Sequence, residues 1–119
     1  MRILIFYATI EGQTGKIAEF IATALREAGH EALLHTADNP RPLPLDGSDA
    51  VILAAPVHER RHPRAFEDSL NMQADILSKL PTLMLSVSLS AAFPERLEEA
   101  QDYLVEMKMR TEFEPSAEA

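Results

Sequence analysis

The chain has 119 residues, the size of one domain able to bury a core of its own. It has no cysteine, which excludes disulfides, iron–sulfur ligation and thiol catalysis, and its formal net charge of -8 argues against nucleic acid, whose phosphates an acidic surface repels. No stretch approaches the roughly 20 apolar residues of a membrane span, and the amino terminus runs directly into a strand pattern with no signal-peptide layout, so a cytoplasmic protein is expected.

Ile3 to Tyr7 is a continuous apolar run, as in a parallel strand covered on both faces. From Ile17 the period changes: Ile17, Phe20, Ile21, Ala24, Leu25 and Ala28 recur at helical spacing, with Gly29 as the cap. Thr9 to Thr14 is therefore a strand-to-helix turn. The first amides of a helix have no intrahelical acceptor and sit at the positive end of its dipole, which favours an anion. Thr9 and Thr14 add hydroxyls, Gln13 adds an amide, and Gly12 permits a close approach, a set that suits a phosphomonoester. The same residue types also start helices with no ligand, and both readings stand at this point.

Glu31 to Thr36 reads as a second strand. Asp38 to Ser48 carries Pro40, Pro42 and Pro44, which predicts an extended surface connection with no helix. Ala50 to Ala55 is a third, fully apolar strand, stopped by Pro56. Val57 to His62 is polar and cationic, with His58, Arg60, Arg61 and His62 followed by Arg64. The two histidines lie four apart, but Pro63 places them ahead of the next helix and no third ligand is apparent, so a titratable surface loop is expected and not a metal site. Pro63 opens a helix with the stripe Ala65, Phe66, Leu70, Gln73, Ala74 and Leu77.

Thr82 to Leu89 is the fourth strand, and Ser88 to Phe93 leads to a proline-first helix at Pro94 and Glu95. Leu97, Ala100, Leu104 and Met107 are its expected buried stripe, while Glu95, Glu98, Glu99, Asp102 and Glu106 face water. Met72, Met84, Met107 and Met109 are expected as core filler. Strands alternating with helices predict an α/β fold with a parallel sheet. Ligands of such sheets bind beyond the carboxyl ends of the strands. The three loops 9–14, 56–62 and 88–93 would converge there.

Those loops carry a family resemblance. Thr9-Ile10-Glu11-Gly12-Gln13-Thr14 resembles the flavodoxin phosphate loop, with Glu11 at the middle hydroxyl position. Ala55-Pro56-Val57-His58 with His62, Ala65 and Phe66, then Ser86-Val87-Ser88-Leu89-Ser90-Ala91-Ala92 with Pro94 and Glu95, look like the second and third loops of the menaquinone-dependent protoporphyrinogen oxidase family. Thr111, Phe113 and Pro115 are similar to the segment before that family's fifth strand. The resemblance covers nearly the whole chain and implies a flavodoxin-like sheet in the order 2-1-3-4 within one domain, 1–119. The fifth strand and last helix are expected to be absent, leaving the fourth strand as an open edge that a homodimer could cover.

By the same resemblance FMN is the cofactor and carries the redox chemistry, with no catalytic side chain. Thr9, Glu11, Gly12, Gln13 and Thr14 would surround its phosphate, while Pro56, Val57, His58, Ser88, Leu89, Ser90, Ala91 and Ala92 would flank its ring. Arg60, Arg61 and Arg64 would draw in an anionic substrate such as a porphyrin, or else pair with Glu59, Glu67 and Asp68. Three functions follow in order. The first is an FMN oxidoreductase acting on a small reduced substrate with a quinone or redox-protein acceptor, at most peripheral to a membrane. The second is a flavodoxin-type electron carrier, and the third a flavin-free interaction module.

Overall fold

The computed structural model describes residues 1–9, 12–39, 43–56, 62–87, 97–111, 113 and 115–118, without the side chains of 97–100 and 104. Strands β1 (Arg2–Tyr7), β2 (Glu31–Thr36), β3 (Ala50–Pro56), β4 (Thr82–Val87) and β5 (Ala117–Glu118) form one parallel sheet in the order β2-β1-β3-β4-β5. Helices α1 (Gln13–Glu27), α2 (Arg64–Met72), α3 (Ala74–Leu77) and α4 (Leu97–Thr111) lie between them in the chain. The flavodoxin-like α/β arrangement expected from the sequence is the one observed.

The sheet places two cores on its two faces. Leu4, Phe6, Val51, Leu53, Ala55 and Met84 point to one side and pack with Phe66 and Leu70 of α2, Leu77 of α3 and Met107 of α4. Phe6 and Phe66 stack with ring centroids 5.0 Å apart and planes inclined by 10°. Ile5 and Ala32 point to the other side and meet Ala18 and Ala22 of α1. Small residues at that contact let the helix approach closely. The buried line of α1 is therefore Thr14, Ala18 and Ala22, flanked by Ile21 and Leu25, while Phe20 is 76% exposed. Ile21 and Leu25 of the expected stripe lie on this face, but Phe20, Ala24 and Ala28 are exposed, because volume and not hydropathy alone decides which face fits a sheet.

Four further expectations need correction. Leu43 and Leu45 are buried in the larger core, so the end of the proline-rich connection is docked and not a surface strap. Gln73 holds it there: its Oε1 accepts from Leu43 N at 2.9 Å and its Nε2 donates to Leu43 O at 3.4 Å. Gln73 also separates α2 from α3, so the single helical stripe drawn from Ala65 to Leu77 is two helices, and Ala65 itself is exposed. Met84 and Met107 are core residues, but Met72 and Met109 are 82% and 75% exposed. Finally, the fifth strand is present in short form, pairing Ala117 and Glu118 with Leu83 and Met84.

That last strand is held by side chains as well as by its ladder. Thr82 and Ser116 exchange backbone-to-hydroxyl bonds of 3.1 and 2.8 Å, Lys108 reaches Glu118 at 2.7 Å, and Phe113 is buried beneath them. Similar fastenings collect at the amino ends of the strands. Arg2 N donates to Asp49 Oδ2 and Asp49 N to Arg2 O, both at 2.7 Å, and the Met1 amino group lies 3.3 Å from His30 Nδ1. The carboxyl ends are differently made.

Candidate functional site

Chain direction alone brings Thr9, Pro56 and Val87 to one edge of the sheet, since β1, β3 and β4 run parallel with Tyr7 beside Ala54 and Pro56 beside Val87. The order places β1 between β2 and β3, so the chain's connections reverse direction at β1 and open a crevice beyond its carboxyl end. The turn after β1 occupies that point.

Gly12 caps α1 with φ of 84° and ψ of -11°, a left-handed conformation in which a side chain would be strained. Its N–H donates to Thr9 Oγ1 at 2.9 Å, and its carbonyl accepts the first helical bond, from Lys16 N. Gln13, Thr14 and Gly15 then present amides that no intrahelical carbonyl can reach. No side chain caps this helix and no acidic residue lies in its first turn, so among the described residues its positive end is uncompensated. Thr14 is 1% exposed and its Oγ1 has no hydrogen-bond partner. A buried hydroxyl left in that state costs about 1–3 kcal/mol unless an acceptor arrives.

These features fit a phosphate. An anion seated at the turn would accept from the free amides and from Thr14, and the Thr9 hydroxyl keeps its own proton to donate. Gly15 lies where helix and strand meet, and a Cβ there would make ordinary contacts of 3.7 Å with Tyr7 and 3.8 Å with Thr9. Gln13 is exposed beside them.

The opposite wall contains a pair that residue types alone did not suggest. His62 is fully buried, with its Nε2 2.8 Å from Ser86 Oγ and its Nδ1 without a partner. Burial pushes its imidazole down from the ordinary 6.5 to about 4; nearby Glu67 opposes the shift and Arg110 adds to it. The expected titratable surface histidine is thus a neutral interior one. Glu67 is also buried, and the Arg110 guanidinium of α4 holds its carboxylate through three bonds of 2.8–3.2 Å. Arg110 is a partner of Glu67 across 43 residues, a separation that no local pattern spans; Arg60 and Arg61, also expected near Glu67, lie outside the described residues.

Of the expected site residues, Thr9, Gly12, Gln13, Thr14 and Pro56 stand together at the carboxyl edge, and Arg64 is exposed as the first residue of α2. Glu11, Val57, His58, Arg60, Arg61, Ser88, Leu89, Ser90, Ala91 and Ala92 lie outside the described residues. No group of three or more metal-ligating side chains occurs among the described residues.

Comparison with known proteins agrees with this arrangement. The model of the flavodoxin domain family matches residues 4–117. The chain belongs to the flavodoxin domain family. It is 29% identical to protoporphyrinogen IX dehydrogenase (quinone) of Escherichia coli strain K12, an alignment that takes in 97% of this chain and 64% of that protein. The chain thus spans just under two thirds of the curated relative's length. Among solved structures, oxidised flavodoxin 1 of Bacillus cereus superposes with a TM-score of 0.68 at 21% identity, covering 100% of this chain and 84% of that one. Fusobacterium nucleatum flavodoxin bound to flavin mononucleotide superposes with a TM-score of 0.67 at 17% identity, covering 99% and 77%. At those identities the two flavodoxins are alike in fold.

Proposed function

We propose that this flavodoxin domain binds FMN at the turn between β1 and α1 and serves as a flavin oxidoreductase, carrying electrons from a small reduced substrate to a quinone-type acceptor. The observation that carries the reading is the buried, unpartnered Thr14 hydroxyl beside an uncapped helix start, a site one acceptor short of satisfaction. The likeness to a protoporphyrinogen IX dehydrogenase supports the oxidoreductase class and makes an anionic porphyrin the first substrate to try. When bound, FMN supplies the hydride or single-electron chemistry at its ring.

The protein's part is binding and orientation. Amides of Gln13, Thr14 and Gly15 with the Thr9 and Thr14 hydroxyls hold the phosphate, and Gln13 and Glu11 stand in the same turn. Pro56, Val57, His58 and Ser88 to Ala92 are the residues that would flank the ring. Arg60, Arg61 and Arg64 offer guanidiniums to propionates in an otherwise acidic protein. With β5 paired to Leu83 and Met84, a homodimer is the assembly that would cover the remaining edge of β4 from Leu85 to Val87.

The test is the visible absorption spectrum after incubation with FMN and gel filtration. Flavin retained near one per chain supports the reading, and a colourless protein refutes it. A second reading, an electron carrier with no substrate of its own, is favoured by the formal charge of -8, which suits docking to basic redox proteins. Turnover of a porphyrinogen with a quinone or dye and no protein partner separates the two, since a carrier gives none.

A further inference from the structure

His62 does more than fill space. It immediately precedes Pro63, the cap of α2, and its Nε2 reaches Ser86, the penultimate residue of β4, 24 positions later. Ser86 is in register with Ala55 of β3, one rung before Pro56 and Val87 end the ladder. Four residues past His62, Phe66 stacks on Phe6 of β1. The start of α2 is thereby tied to β4 by a hydrogen bond and to β1 by a ring stack, and the carboxyl ends of β1, β3 and β4 are held as one edge.

The bond is part-buried: His62 is fully enclosed while Ser86 is half-buried, so the imidazole side of the pair is the one shielded from solvent. Its tautomer follows from the other nitrogen. An N–H at Nδ1 would be a buried donor with no acceptor, so the proton belongs on Nε2, which donates to Ser86 Oγ. Ser86 keeps its own proton. A packed apolar side chain at His62 would avoid the unpartnered nitrogen, and so the arrangement is not explained by core stability alone.

We propose that His62 is a positioning residue for the flavin ring: through Ser86 it fixes the carboxyl edge of β3 and β4 in its binding geometry before any ligand arrives. This rests on the FMN reading above. Preorganisation of this kind improves affinity by removing the ordering that binding would otherwise require. The residue acts on the ring side of the site, away from the phosphate turn.

The experiment compares FMN and riboflavin binding, by quenching of flavin fluorescence, in wild type, His62→Ala, Ser86→Ala and the double variant. Each single variant is expected to bind both flavins about tenfold more weakly, leaving the ratio of the two affinities unchanged, with the double variant no weaker than the singles. Ser86→Thr, which keeps the hydroxyl, restores affinity. In the flavin-free protein the His62 Nε2 proton is a slowly exchanging resonance in wild type that Ser86→Ala broadens or shifts. If His62→Ala misfolds, Ser86→Ala alone carries the comparison, because it removes one half-buried oxygen. Unchanged affinity and flavin spectrum in a folded Ser86→Ala overturn the proposal while leaving FMN binding by wild type intact. Wild type that binds neither flavin overturns both.

Discussion

Thr14 and His62 each carry a buried atom without a partner, for opposite reasons, and each has a measurable consequence. Thr14 keeps an idle hydroxyl where a ligand would use it. Thr14→Val retains the shape and removes the polar atom, so the flavin-free protein should melt at the same temperature or higher while FMN affinity falls about tenfold or more. Calorimetry and a flavin titration on one preparation check both halves. His62 is buried neutral with a folded pKa of about 4, against 6.5 when unfolded. The unfolded chain therefore binds the extra proton between those values, and the stability that this group provides is complete above pH 6.5 and lost as pH falls towards 4. The loss over that window is about 3 kcal/mol. Denaturant midpoints measured from pH 7 to pH 4 should fall more steeply in wild type than in His62→Phe, which has no proton to bind.

At the scale of elements, the connection between β2 and β3 shows how a chain replaces a crossover helix. Leu43 and Leu45 bury its end in the larger core, with Gln73 completing backbone bonds that a helix would have made for itself. Gln73→Ala should cost about 1–2 kcal/mol at unchanged denaturant slope, since it removes two bonds without altering the surface exposed on unfolding. Local pattern predicted β1 and β3 to within a residue, because strands covered on both faces are continuous apolar runs; β2, an edge strand with Leu33 and Leu34 exposed, was legible from its short apolar centre. Local pattern was also sufficient for the turn at Gly12, where strand, glycine and helix meet in sequence. Leu43 and Leu45 gave no such signal, as the core that buries them is assembled from distant elements and the side chain that holds Leu43, Gln73, is 30 residues away. Phe20 fits a helical stripe by hydropathy, yet which stripe faces the sheet is settled by volume at the contact, where Ala18 and Ala22 fit and a phenylalanine does not; Met72 and Met109 are expected in the core on residue type alone, which carries no information about facing. His62, readable as a loop residue, and Ser86, readable as part of the fourth strand, likewise give no sign of each other until the fold makes them neighbours.

For the whole molecule, binding and stability are linked. FMN at one hundred times its dissociation constant should stabilise the fold by about 2.7 kcal/mol, which raises the melting temperature of a chain this size by about 10 °C; a thermal melt with and without the flavin reads it directly. The two edges of the sheet divide the labour. The amino edge is fastened by Arg2 with Asp49 and by the Met1 amino group beside His30, while the carboxyl edge keeps its donors free at Thr14 and the start of α1. Met1 is consequently separated from the phosphate turn by the full length of β1, about 20 Å at the rise of a strand. A tether attached through the amino terminus to a bead, an electrode or a fused reductase would hold the molecule with its open crevice facing outward, and the order in which electrons meet the flavin could then be set by the surface to which the protein is joined.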